Sequence, residues 1–358
     1  MTSAMNERIA LTMRDGVADV RLNRPEKMNA LDPLMFTALL ELGETLAHDS
    51  TVRAVVVSGA GRAFCAGVCA CLRRTETDSR RPIVVPINQR NSMTFDTIKL
   101  DISNDIAVLT LNQPDSRNGL TERLQKEMLT ALEQVSQQDD VRALILTGVG
   151  KAFCSGADLG QLDTTADSGA SLGDSVAKMM EEIANPLILA LQNLPMPVVS
   201  AVNGSAAGAG ISLALAADIV IAGRSAFFLT PFLPRLGIVP DMGATWFLSQ
   251  QLGRARAMGL ILLGDRLPAE KAAQWGLIWA CVEDVNLLEE AMNIAIRLAK
   301  APSHSAQEAR RALDAAASQG LAAQLDYEKE RQRVLLDLPS FKEGVQAFFE
   351  KREPVFRR

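Results

Sequence analysis

The sequence predicts an α/β domain whose sheet-forming units come first and whose helices come last, preceded by a shortened copy of that domain's own beginning. Three observations predict it. The chain repeats itself at one fixed offset. Each copy opens with an alternating strand, a turn, an amphipathic helix and a second strand. Only the second copy continues, into a helical C-terminal region.

The repeat needs no gap. VADVRLNRPEKMNAL (17–31) aligns with IAVLTLNQPDSRNGL (106–120), and VRAVVVSGAGRAFCAG (52–67) aligns with VRALILTGVGKAFCSG (141–156), both at an offset of 89. Two blocks in one register point to common ancestry. The match ends after Gly67, and residues 72–94, rich in Arg, Asp, Ser, Thr and Pro, read as a linker. Nothing in the first copy corresponds to residues 195–358. The expected organisation is a partial, non-catalytic repeat over 1–71, a linker over 72–94 and a complete domain over 95–358.

Taken in order, IAVLTL (106–111) alternates as a strand, NQPDSRNG makes a turn, and Leu120, Leu124, Met128, Leu132 and Val135 recur at helical spacing. ALILTG (143–148) is a buried strand. The first copy places Leu31, Met35, Leu39, Leu42 and Leu46 on its helix and VVVSG (55–59) on its strand. Further on, MPVVSAVNG (196–204) is a strand opened by proline, and 206–223 is a Gly/Ala-rich loop, a short helix and another strand. RARAMGLILLG, PAEKAAQWG, NLLEEAMNIAIRLAKA and the closing segment to Phe356 are helical. The stretch DTTADSGASLGDS (163–175), with Asp163, Asp167 and Asp174, reads as a flap-like loop of solvated charges.

Composition narrows the function. The chain has 358 residues, 48% hydrophobic and 22% charged, as in an ordinary globular protein. A net charge of −5 argues against a nucleic-acid partner. No apolar run reaches the roughly 18 residues that would span a membrane, and the N-terminus lacks a signal-peptide core, so the expectation is a cytoplasmic protein. The cysteines, Cys65, Cys69, Cys71, Cys154 and Cys281, are odd in number and without metal-ligand spacing. The two histidines, His48 and His304, give a Ser-His-Asp mechanism little to draw on. The chemistry is left to carboxylates and backbone.

The order AFCSGADL (152–159), AVNGSAAGAG (201–210), LGIVPDMGATW (236–246) and EGVQAFFEKREPVF (343–356) resembles the crotonase (enoyl-CoA hydratase/isomerase) family over Phe95 to the end. The resemblance implies a spiral of ββα units with a helical C-terminal region, a homotrimer or homohexamer, and a coenzyme A thioester as substrate with no cofactor. It also implies an oxyanion site made by the amides of Ala157 and Ala209, which would stabilise a thioester enolate. Small residues suit such a site because the backbone itself must reach the ligand. By the same resemblance Asp158, Leu159 and Gly160 border the CoA cleft, Arg117 and Gly119 flank it, and Phe348 and Lys351 contact CoA.

Family hydratases add water with two glutamates, whose positions here are Ser212 and Leu233. One acid remains, Asp241, where family isomerases carry theirs. The similarity is closest to bacterial isomerases that rearrange ring-1,2-epoxyphenylacetyl-CoA. Around Asp241, the apolar residues Phe232, Leu233, Leu236, Val239, Met242 and Trp246 would desolvate a carboxylate and lift its pKa, which suits a proton carrier. Asp218, ahead of a buried strand, reads as structural. The leading expectation is an isomerase of enoyl-CoA or epoxyphenylacetyl-CoA. The alternatives are a hydratase, an aryl-CoA dehalogenase with Asp241 as nucleophile, and a non-catalytic acyl-CoA binder.

Overall fold

The computed structural model describes residues 2–6, 8–14, 16–49, 51–65, 95–158 and 171–356. The linker expected over 72–94 therefore lies outside the described residues, as do Cys69, Cys71, Leu159, Gly160, Asp163 and Asp167. The chain divides into two compact units, Met1–Pro86 and Ile87–Arg358.

Among the described residues, unit 1 is a four-stranded sheet carrying one α-helix. Its elements are β1 (Thr2–Asn6), β2 (Ile9–Arg14), β3 (Val17–Leu22), α1 (Pro33–His48) and β4 (Ala54–Gly59), with strand order β1-β2-β3-β4. Asp32 caps α1 by accepting from the Met35 amide at 2.9 Å. The helix buries Met35, Ala38 and Leu42 against Ile9, Val20 and Leu22. Among the described residues β4 is the last strand of its sheet, and Val55, Val56 and Val57 are about half exposed.

Unit 2 runs β5 (Ile98–Ser103), β6 (Ile106–Leu111), α2 (Glu122–Ser136), β7 (Ala143–Gly148), β8 (Ala152–Cys154), α3 (Leu172–Met179), α4 (Asn185–Asn193), β9 (Val198–Val202), β10 (Ser205–Ala207), α5 (Ala209–Leu215), β11 (Ile219–Gly223) and β12 (Phe227–Leu229). It closes with α6 (Ala244–Leu263), β13 (Leu267–Pro268), α7 (Ala269–Trp275), β14 (Ala280–Val282), α8 (Leu287–Ala299), α9 (Ser305–Ser318), α10 (Leu321–Leu335) and α11 (Pro339–Glu350). Strand order is β14-β11-β9-β7-β6-β5 in the large sheet and β13-β12-β10-β8 in the small one. The interior of the large sheet is parallel, so both faces must be covered. Alternate residues divide between them. Ile106, Ala143, Ile145, Val199, Ala201 and Ile221 meet Leu287, Ala291 and Ala295 of α8. Ala107, Leu109, Leu144, Leu146 and Val198 face the main core, with α2, α4 and α5.

The two units share a register. Val17 pairs with Ala54 as Ile106 pairs with Ala143, and Leu22 with Gly59 as Leu111 with Gly148. Side-chain bonds recur too. Asn29 donates to the Ala60 and Ala63 carbonyls at 2.8 and 2.7 Å, and Asn118 to those of Val149 and Ala152 at 3.0 and 2.9 Å. Both asparagines are fully buried and left-handed, a conformation their short amides tolerate. The difference is β7, buried between β6 and β9, where β4 lacks a further strand among the described residues.

One expectation needs correcting. Asp174 is not in a loop: it sits in the first turn of α3, where Ser171 accepts from its amide at 3.0 Å. A serine cap and a carboxylate near a helix N-terminus satisfy free amides, and this local signal was readable in SLGD.

Asp218 is structural as expected, through a partner with no local signature. Arg310 of α9 grips its carboxylate with two bonds of 2.6 Å and donates to the carbonyls of Gln192, Leu194 and Met196 at 2.9, 2.6 and 3.0 Å. It thus closes the C-terminal end of α4 and the entry to β9, while Asp218 accepts from the Val198 amide at 2.7 Å. Arg310→Ala would strand a largely shielded carboxylate and three carbonyls. A loss of about 3 kcal/mol is expected in denaturant unfolding, with Arg310→Lys recovering only part because an ammonium lacks the planar fork.

Candidate active site

The site is built where the end of β8 meets the start of α5. Gly210, in the first turn of α5, faces the Cys154 backbone so closely that a methyl group there would lie 2.4 Å from the Cys154 carbonyl oxygen. Gly156, with φ +88°, repeats the constraint one step on. A methyl on it would lie 2.7 Å from the Ala207 carbonyl oxygen and 3.1 Å from the Ala209 amide nitrogen. The stretch leading into Ala157 and the residues leading into Ala209 therefore touch through backbone alone, which only small residues permit.

Both amides named from the sequence lie at this contact. Ala209 is the first residue of α5, so its N–H has no partner within the helix. Ala157 bridges Leu120 in parallel, a pairing that engages the Gly156 carbonyl with the Leu120 amide at 2.8 Å. Among the described residues, neither the Ala157 nor the Ala209 amide donates to a backbone acceptor. Ala209 is buried and Ala157 exposed.

The expected flanking residues are partly assembled. The Ser155 amide donates to the Arg117 carbonyl at 3.1 Å, and a methyl on Gly119 would lie 3.8 Å from the Asp158 Cβ. The turn carrying Arg117 and Gly119 thus abuts the 155–158 stretch, pinned from behind by Asn118. The Arg117 side chain is exposed and Asp158 half-buried. Phe232 is buried, and its Cζ lies 3.9 Å from where a Gly208 methyl would stand, so its ring tip walls the same loop. Leu159 and Gly160 fall outside the described residues.

Asp241 is tied to α5 through its backbone. Ser212, one helical turn beyond Ala209 and fully buried, donates its hydroxyl to the Asp241 carbonyl at 3.0 Å. The same carbonyl accepts from the Ala244 amide at 2.9 Å, closing a turn whose central residues, Met242 and Gly243, both have positive φ. Left-handed Met242 is strained by about 1–3 kcal/mol, which surrounding contacts must offset. Met242 is itself packed in the main core.

The Asp241 carboxyl is half-buried, and its Oδ1 is shielded from water with no hydrogen-bond partner. Burial pushes its pKa above the ordinary carboxylate value, and its own peptide N–H opposes that less strongly. Among the described residues no charged side chain contributes. By contrast Cys154, beside the same contact, has its thiol pushed up to about 12 by complete burial, which leaves it inert. Leu233 is partly buried and packed on the main core. Leu236, Val239 and Trp246, expected to desolvate Asp241, are substantially exposed. The residues on either side of Asp241 in sequence, Pro240 and Met242, are buried.

Sequence reasoning treated Ser212 only as a missing acid and did not single out Gly156. A signal existed for the first, since a serine inside the apolar run AGISLALAA must find a partner when buried.

The enoyl-CoA hydratase/isomerase family model matches residues 12–78 and 101–358. A probable enoyl-CoA hydratase of Rhodobacter capsulatus is 44% identical over 264 residues, covering 74% of this chain and 99% of that protein. The 1,2-epoxyphenylacetyl-CoA isomerase of Escherichia coli is 43% identical over 256 residues, covering 71% of this chain and 96% of the relative. The crystal structure of an enoyl-CoA hydratase from Polaromonas sp. JS666 is similar with a TM-score of 0.68 at 31% identity, covering 73% of this chain and 99% of that one. With this fold and these matches, the chain belongs to the enoyl-CoA hydratase/isomerase family and has the crotonase fold.

Proposed function

We propose that the chain is an acyl-CoA isomerase in which Asp241 moves a proton along a coenzyme A thioester, while the amides of Ala157 and Ala209 hold the enolate oxygen. The observation that carries this is the distribution of acids. The two positions used for hydration in the family hold a buried serine and an apolar leucine, and a shielded carboxyl stands one residue beyond Pro240. The similarity to the Escherichia coli epoxyphenylacetyl-CoA isomerase supports the same reading.

The chemistry follows from these groups. The Asp241 carboxylate takes a proton from a carbon made acidic by the thioester. The electron pair left behind delocalises onto the thioester oxygen, where two amide donors stabilise it by a few kcal/mol each. The carboxylic acid then returns the proton to another carbon of the conjugated system, and the electrons flow back. One group suffices because its pKa is lifted towards that of a group able both to take and to return a proton. Arg117, Gly119, Asp158, Leu159, Gly160 and Phe232 are assigned to the substrate cleft. Ring-epoxidised phenylacetyl-CoA and 3-enoyl-CoA are the substrate candidates. No cofactor enters this scheme. A homotrimer or homohexamer in the cytoplasm and a non-catalytic role for unit 1 complete the proposal.

Asp241→Asn is expected to lower isomerisation of 3-enoyl-CoA or epoxyphenylacetyl-CoA by about a hundredfold or more with the melting temperature maintained. Rapid hydration of 2-enoyl-CoA, untouched by that change, is the contrary result and would favour the hydratase reading. The catalytic base must be ionised, and burial raises its pKa. The kcat/KM for isomerisation should therefore fall as pH drops through a point above the ordinary carboxylate value of about 4. A profile flat down to that value argues against a shielded base. Gly156→Ala, which would force the Ala157 and Ala209 amides apart, should reduce kcat by about ten- to a hundredfold in protein that remains folded by circular dichroism.

A further inference from the structure

We infer that Ser212 is a positioning residue for Asp241: its buried hydroxyl anchors the turn that holds the carboxyl beside the first turn of α5. This rests on the reading of Asp241 as the proton carrier, and goes beyond it by assigning a task to the position where family hydratases carry an acid.

The geometry supplies three arguments. Ser212 is fully buried, and its hydroxyl has a single proton, which it gives to the Asp241 carbonyl at 3.0 Å. It is therefore not a proton donor to substrate, and its partner is the backbone of the very residue carrying the carboxyl. That carbonyl also closes the turn to the Ala244 amide at 2.9 Å, so it accepts from two directions and is fixed in orientation. The turn it fixes is one the chain resists, because Met242 sits at φ 49° without being glycine. A conformation of that kind persists only where its surroundings over-determine it, and the Ser212 hydroxyl supplies a side-chain hydrogen bond that reaches the turn from α5.

The same bond sets a distance. Ser212 and Ala209 lie on one short helix, three residues apart and so on one face. Tying Asp241 to Ser212 thus ties it to the Ala209 amide, and the two ends of the reacting system are held by one element. Among the described residues the Asp241 Oδ1 has no hydrogen-bond partner and no charged neighbour shifts the carboxyl, so its own peptide N–H is the only group that steadies it from that end. Its position is set from the backbone end. Without the anchor, the turn relaxes and the carboxyl gains water.

Ser212→Ala tests this, by steady-state kinetics of isomerisation across pH alongside Asp241→Asn and the double variant. The expected result is a fall in kcat of about tenfold or more, KM changed less than about twofold, and the acid limb of kcat/KM moved to lower pH, because a loosened carboxyl returns towards its ordinary value. Adding Ser212→Ala to Asp241→Asn should cost nothing further, since the serine acts through the aspartate. If Ser212→Ala does not fold, Ser212→Cys, a weaker donor of similar shape, should move the limb the same way by less. An Asp241-dependent enzyme whose rate and acid limb are unchanged by these substitutions, or a double variant with additive losses, overturns the positioning role alone. Full activity of Asp241→Asn would instead remove the proton-carrier reading on which it stands.

Discussion

The end of β8 and the first turn of α5 meet through backbone, with no room for a Cβ on Gly156 or Gly210. That contact governs the rest of the site. It brings the Ala157 stretch against the Ala209 amide, and it requires the Gly/Ala-rich composition of both segments. Main-chain amides in such a place are rigid donors, already oriented before any ligand arrives, so no reorganisation is needed when charge develops. The surrounding fold serves the contact. Asn118 pins the neighbouring turn to the strand behind it, and Arg310 locks the end of α4 to the entry of β9, whose continuation leads through β10 into α5.

On the turn that Ser212 ties to α5 stands a carboxyl whose surroundings favour its neutral form. Burial outweighs the opposing hydrogen bond from the residue's own peptide N–H, and among the described residues no charge assists it, so the Asp241 pKa rises without pairing. A surface aspartate would be a weak base, and one in a salt bridge weaker still. A shielded, unpaired one can take a proton and keep it from solvent. The strain at Met242 and the buried, unpartnered Oδ1 both work against the stability of the fold, which is common where an arrangement serves a reaction rather than the folded state.

Much of this was legible from residues alone. The strand and helix pattern of 106–148 follows from apolar spacing, and the register of both units follows from the repeat. The Ala157 and Ala209 pair came from a resemblance, and the structure supplies the close approach that makes such a pair feasible. What was not legible is long-range. Arg310 lies 92 positions from Asp218, and nothing in ARRALDAA marks it as a clasp for another element. The Ser212 hydroxyl bond joins residues 29 apart. The residues expected to shield Asp241 were partly wrong, because adjacency in sequence says little about which side of a turn faces inward. Leu236, Val239 and Trp246 are substantially exposed, while Met242, in the left-handed turn, is buried. Similarly, VVVSG reads like ALILTG, yet among the described residues β4 ends its sheet, while β7 is buried by having β9 beside it.

The central claim is that one carboxyl, shielded from water, carries a proton between two carbons of a thioester-stabilised enolate. Isotope tracing tests it most directly. A 3-enoyl-CoA deuterated at the α-carbon is converted in ordinary water, and the 2-enoyl product is analysed at early turnover by mass spectrometry and NMR. The account predicts that a measurable share of the deuterium reappears at the γ-carbon. Complete loss of label to solvent, or 3-hydroxyacyl-CoA as the first product, would contradict it.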